Sequence, residues 1–221
     1  MTETESLPGN HLKAVKEYLE SRLGITGLTG GGLELFAQAF ISPGYSNEHG
    51  LGRDYNRLEF LGDAVIKAHI SRKIYDRFSD LDEGRMSKIC HYLWNDKTYP
   101  GAVHRENLDF CHLILLPNSE RNQKLEHKVD YVTSAVSDSF EALIGAMEIL
   151  GFRREYESLL DRVLLNAVDS VYRRICGEDI RAWDGILNNL AEEHIGCFKH
   201  WISQFFRNEL LSFRIIQIPR T

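Results

Sequence analysis

The chain has 221 residues, 43% hydrophobic and 26% charged, the balance of an ordinary soluble globular protein with one sizeable core and a small appendage. Its formal net charge of −6 argues against a partner held by a basic surface, and no stretch reaches the ~18 consecutive apolar residues of a membrane span. The first ten residues are acidic where a secretory or transit peptide is basic, so the expected compartment is the cytoplasm or nucleus, with the mitochondrion left open.

In chain order, a helix is predicted from an N-cap at Asn10 to Leu23, with Leu12, Val15, Leu19 and Leu23 on one stripe and Gly24 ending it. A Gly- and Thr-rich connection over 25–32 has no Lys-Ser/Thr after its glycines and so is not a P-loop. Residues 33–41 form a short apolar helix, stopped by Ser42-Pro43-Gly44, and a loop containing His49 runs through Tyr55. From Asn56 to about Phe78 the pattern is helical, with Ile70, Ile74 and Phe78 inside and Arg72, Lys73, Asp76 and Arg77 outside. His69 falls on the apolar side, where a satisfied buried histidine is expected.

Residues 80–84 read as a turn and 85–94 as a helix carrying Met86, Ile89 and Leu93 on one stripe. Pro100-Gly101 is expected to break the pattern before a helix over 102–107. The polar stretch 118–128 is expected as a surface loop whose Arg121, Lys124 and Lys128 can reach an anionic partner. A helix over 131–150 ends at Gly151, and 153–175 is a long amphipathic helix. No repeat or strand alternation precedes this point, so the predicted fold is all-α. Residues 178–221 show at most one strand, 210–218. Cys90, Cys111, Cys176 and Cys197 are widely spaced, without a Cys-x-x-Cys pair, and are expected as free thiols in a reducing compartment.

Two acid pairs carry the chemistry. Glu59 and Asp63 stand four apart on the helix from Asn56, and Asp138 and Glu141 stand three apart on the helix of 131–150, so each pair shares one helical face. Apolar neighbours surround both: Leu58, Phe60, Leu61, Ala64, Val65 and Ile66 for the first, Phe140, Ala142, Leu143, Ile144 and Ala146 for the second. Both helices are therefore expected to be largely buried, where unpaired carboxylates are costly. Like charges one turn apart repel, and a divalent cation is the simplest reason to keep them. Four facing carboxylates make an all-oxygen site that suits Mg²⁺ or Mn²⁺ and not zinc.

The run Asn-Arg-Leu-Glu-Phe-Leu-Gly-Asp-Ala-Val at 56–65 resembles the signature of the ribonuclease III family, and Asp-Ser-Phe-Glu-Ala-Leu-Ile-Gly-Ala at 138–146 resembles its second acidic motif. Asp82-Glu83-Gly84-Arg85-Met86-Ser87 between them also resembles the family. The resemblance covers about residues 10–175. It implies a catalytic domain over 10–176, with 177–221 an extension that does not resemble the family's double-stranded-RNA-binding domain.

What the resemblance implies is a Mg²⁺-dependent endoribonuclease, with Mn²⁺ as an alternative ion, that cuts double-stranded RNA as a homodimer. Glu59, Asp63, Asp138 and Glu141 match the metal-binding and catalytic acids. Glu83 matches a supporting acid, and Phe60 matches a residue of the dimer interface. Asn56, in a supporting position, replaces a Glu found in many members. Arg85 replaces an acid, and the usual Thr-His-x-Ser is missing near 41–43. A non-cleaving protein of the same fold, such as a mitochondrial ribosome component or a duplex-RNA binder, is the alternative. Duplex RNA recognised by shape and backbone needs no base-reading motif, and none is found.

Overall fold

The computed structural model describes residues 7–94, 99–118 and 125–164, with the backbone alone for 125–133. Helix α1, Gly9–Tyr18, follows Pro8 and continues through a wider π turn, Leu19–Leu23. It begins one residue before the Asn10 expected to cap it. Gly24 ends it at φ +67°, a left-handed conformation that glycine adopts without penalty. Helix α2 is Gly30–Gln38, α3 Pro43–Glu48, α4 Asn56–Arg77 and α5 Glu83–Leu93. Then come α6, Tyr99–Arg105, a single 3₁₀ turn, Cys111–Leu113, α7, Leu125–Ile149, and α8, Arg153–Leu164. Among the described residues there is no strand, and one isolated parallel bridge joins Ile41 to Leu115. The all-α expectation holds.

Two prolines expected to stop helices instead open them. Ser42 caps α3, its Oγ accepting from Tyr45 N at 3.2 Å, and Pro43 occupies the first turn, where a missing N–H costs nothing. Pro100 and Gly101 likewise lie in the first turn of α6. Asp82 caps α5, its Oδ1 accepting from Arg85 N at 2.8 Å, so Glu83 and Gly84 belong to the helix and not to a preceding turn. Residues 119–124 lie outside the described set, and α7 already runs from Leu125, earlier than the expected 131. Residues 165–221 also lie outside it, together with Cys176, Cys197, the 176/177 boundary and the strand predicted at 210–218. Cys90 and Cys111 are free and buried.

Helices α4 and α7 make the most extensive contact in the fold. Residues 139–147 of α7 are buried on every side. Helix α4 turns Leu58, Gly62, Ile66, Ile70 and Ile74 to the core. Its opposite face departs from the expectation of a largely buried helix: Phe60 is 81% and Tyr75 66% exposed, and Ala64 and Ala68 lie between them in the open. The apolar residues of α4 thus divide into a core stripe and a surface stripe. Phe40, Phe110 and Tyr18 pack edge-on and tilted against one another in the core, with centroids 5.6 to 6.2 Å apart.

Candidate active site

The chain enters α4 on a fixed footing. Arg53 pairs with Glu34 at 2.9 Å, Gln38 Nε2 donates to the Asp54 carbonyl at 2.8 Å, and Asp54 Oδ1 accepts from Asn56 N at 3.0 Å. Tyr55 N donates to the Ile41 carbonyl at 3.0 Å. Ile41 belongs to the segment that the bridge and the bonds of Ser42 N and Leu115 N hold against 115. The first turn of α4, with Glu59, therefore starts from a braced position.

Two mid-helix glycines set where α4 meets α7. A Cβ at Gly62 would collide with the Glu141 carbonyl group and stand 2.9 Å from Gly145 N. A Cβ at Gly145 would collide with the Leu58 carbonyl oxygen and stand 3.2 Å from Gly62 N. The helices cross backbone against backbone, which only glycine permits at this separation. Glycine inside a helix costs about 1 kcal/mol relative to alanine, so the crossing is what justifies both. The consequence for the chemistry is direct: the crossing brings the turn carrying Glu59 and Asp63 against the turn carrying Asp138 and Glu141.

The four acids differ in setting. Glu141 is 5% exposed, whereas Glu59, Asp63 and Asp138 are half-buried. The expectation that all four are buried is thus met by Glu141 alone; Asp138 lies one residue before the fully buried segment 139–147. Tyr55 OH donates to Asp138 Oδ2 at 3.0 Å, and Ser134 Oγ lies 3.5 Å from the same oxygen. Lys67 Nζ donates to Asp63 Oδ2 at 2.7 Å, in the favourable acid-before-lysine order. Lys67 supplies at Asp63 the positive charge that the sequence pattern assigned to a metal ion.

The donor types, four carboxylates from two helices in backbone contact, suit a hard divalent cation in kind. The side chains are engaged with protein partners, and among the described residues no three His, Cys, Asp or Glu side chains gather closely enough to hold an ion. Asn56 opens α4 and is exposed. Glu83 is exposed on the first turn of α5, where its carboxylate accepts from Ser87 at 2.9 Å; the structure does not bring it to the other four. Arg121, Lys124 and the side chain of Lys128 lie outside the described residues.

Comparison with known proteins bears on the same stretch. Residues 56–150 match the family model described as the ribonuclease III domain. The chain is 32% identical over 123 residues to ribonuclease 3 of Staphylococcus haemolyticus, covering 55% of this chain and 48% of that protein. It is 28% identical over 185 residues to ribonuclease 3 of Streptococcus mutans, covering 77% of this chain and 78% of the relative. The nuclease domain of ribonuclease III from Campylobacter jejuni, solved in work on flexibility in a region involved in dimer formation, superposes with a TM-score of 0.53 at 26% identity. That match covers 66% of this chain and 96% of the other.

The chain carries a ribonuclease III domain over residues 56–150. It spans about half the length of the staphylococcal relatives it matches. The ribonuclease III match opens at Asn56, the first residue of α4, and closes at Leu150, just past α7. Both acid pairs and both crossing glycines fall inside it. Tyr55 stands one residue before it and has no signal in the acid spacing that leads to the other site residues.

His69 of this ribonuclease III domain is a structural residue, as its apolar position predicted. Its side chain is 8% exposed, and its Nε2 donates to Asp161 Oδ1 at 2.7 Å, while Lys73 Nζ donates to Asp161 Oδ2 at 2.6 Å, clasping α4 to α8. Burial works to raise the pKa of the Asp161 carboxyl, but hydrogen bonds from Lys73 and His69, with their charges, outweigh it and hold it below the usual carboxylate range. A depressed acid contributes stability that is present above its unfolded pKa, about 3.9 for Asp, and is lost as pH falls through the lowered folded value. Asp161→Asn is therefore expected to flatten the acid limb of the thermal midpoint against pH below about 4. An unchanged acid limb would show the clasp contributing nothing to pH-dependent stability.

Proposed function

We propose that the protein is a divalent-metal-dependent endoribonuclease that hydrolyses phosphodiester bonds of double-stranded RNA as a homodimer. The observation that supports the reading is the glycine crossing, which packs the helix of Glu59 and Asp63 against that of Asp138 and Glu141 inside the stretch that matches the ribonuclease III domain. Glu59, Asp63, Asp138 and Glu141 would hold Mg²⁺, or Mn²⁺ in its place. When bound, such ions supply a metal hydroxide and charge stabilisation at the leaving oxygen. The chain's own part is to hold four carboxylates on two closely packed helices. Glu141 is the most desolvated of them, so its charge acts at the lowest local dielectric.

Long double-stranded RNA incubated with purified protein in Mg²⁺ or Mn²⁺ is expected to shorten, and to stay whole in excess chelator. Intact duplex across a range of both metals would sink the enzyme reading. A second reading, a duplex-RNA binder that does not cleave, is favoured by one observation: Lys67 Nζ already stands 2.7 Å from Asp63 Oδ2, where the enzyme reading puts a cation. Retained duplex binding without shortening would support it.

The dimer reading rests on Phe60, which at 81% exposure cannot be intramolecular core. With Ala64, Ala68 and Tyr75 it gives α4 an apolar outer stripe, of the kind that marks a contact surface. Phe60→Asp is expected to convert dimer to monomer by light scattering while leaving the melting temperature of the monomer intact, since no buried contact is lost. A dimer that survives Phe60→Asp would remove α4 from the interface.

A further inference from the structure

We propose that Tyr55 is the positioning residue for Asp138. The proposal rests on the metal-dependent reading above and adds to it the group that fixes one of the four acids. The phenol is 4% exposed, and its hydroxyl donates to Asp138 Oδ2 at 3.0 Å across 83 positions of sequence. Its backbone is as fixed as its side chain. Tyr55 N donates to the Ile41 carbonyl, Glu59 N donates back to the Tyr55 carbonyl at 2.8 Å, and the Ile41 segment is bridged to Leu115. The hydroxyl is thus delivered from a point braced on two sides, and the same residue opens the turn that carries Glu59.

The chemistry of the donor explains why a tyrosine suits this position. Asp63 is held by an ammonium group, whereas one oxygen of Asp138 accepts from a hydroxyl, a donor that orients a carboxylate without itself bringing positive charge to it. A carboxylate that is to attract a cation needs the second kind of support, and hydrogen bonding to ligand carboxylates commonly sets both their orientation and their affinity. Removing the hydroxyl takes from Asp138 Oδ2 its 3.0 Å donor and the rotamer preference that this bond imposes. Ser134 Oγ, at 3.5 Å from the same oxygen, is too distant to do this work alone.

The test is Mn²⁺ affinity, measured by the loss of the free-ion paramagnetic resonance signal, in the wild-type chain, Tyr55→Phe, Asp138→Asn, the double variant and Ser134→Ala. Tyr55→Phe is expected to weaken Mn²⁺ binding by about tenfold or more with its melting midpoint within a few degrees of wild type. In the Asp138→Asn background Tyr55→Phe is expected to change nothing further, because the hydroxyl then has no carboxylate to hold. Ser134→Ala is expected to have the smaller effect. Unchanged affinity in Tyr55→Phe overturns the proposal while leaving the metal reading standing, as does equal weakening with and without the Asp138 carboxylate. A Tyr55→Phe chain that does not fold overturns it too, since the hydroxyl would then be structural. Absence of Mn²⁺ binding by the wild-type chain, with duplex RNA left whole, removes the metal reading itself and the proposal with it.

Discussion

Gly62→Ala is expected to lower the thermal midpoint by roughly 5 to 15 °C, from a destabilisation of about 2–4 kcal/mol. The added methyl has nowhere to go: its collision is with the backbone carbonyl of Glu141, not with a side chain that could turn aside. Relief requires α4 and α7 to move apart, and the contact between them is the largest in the fold. Against this stands the intrinsic gain of alanine over glycine in a helix, about 1 kcal/mol, which is too small to prevail. Gly145→Ala is expected to behave alike, since its Cβ meets the Leu58 carbonyl. Gly31→Ala is the control. It lies in α2 with nothing within 4 Å of an added Cβ and no left-handed backbone requirement, so it should be neutral or slightly stabilising. Equal melting curves for Gly31→Ala and Gly62→Ala would refute the backbone crossing.

The second large effect is on catalysis. Glu141→Gln is expected to reduce cleavage of double-stranded RNA by at least about a hundredfold, beyond what loss of a supporting hydrogen-bond partner usually costs. The substitution keeps the shape of the side chain and removes its charge at the most buried of the four acids. The amide keeps the volume of the carboxylate and one oxygen that can accept a hydrogen bond, so the thermal midpoint is expected to stay within a few degrees while activity falls. That contrast separates a functional carboxylate from a structural one. A parallel loss of stability and activity would assign Glu141 to the architecture, and undiminished cleavage would remove it from the site.

The acid pairs were legible because helical periodicity alone places residues three and four apart on one face, and the limits of α4 came out within a residue for the same reason. The partnership of the two helices was not legible. Gly62 and Gly145 are each anomalous only in being glycines inside helices, and the reason for each lies on the other helix, 83 positions away. The expected burial of α4 failed at Phe60, whose apolar character says nothing of whether it faces the core or a second surface. Pro43 and Pro100 were read as terminators because proline is excluded from helix interiors. The same missing N–H is harmless in a first turn, and the choice between the two is made by the residue in front, here Ser42 at the start of α3.

The complete burial of residues 139–147 has a consequence in time as well as in space. A helical segment with no solvent-facing side loses its amide protection only when its neighbours leave it, so these amides are expected to be among the slowest in the chain to exchange with deuterated water. Glu141 sits in the middle of that segment, on a backbone that does not open independently of the core. Any local opening at the crossing is therefore expected on the more exposed α4 side, with α7 as the stationary floor beneath it.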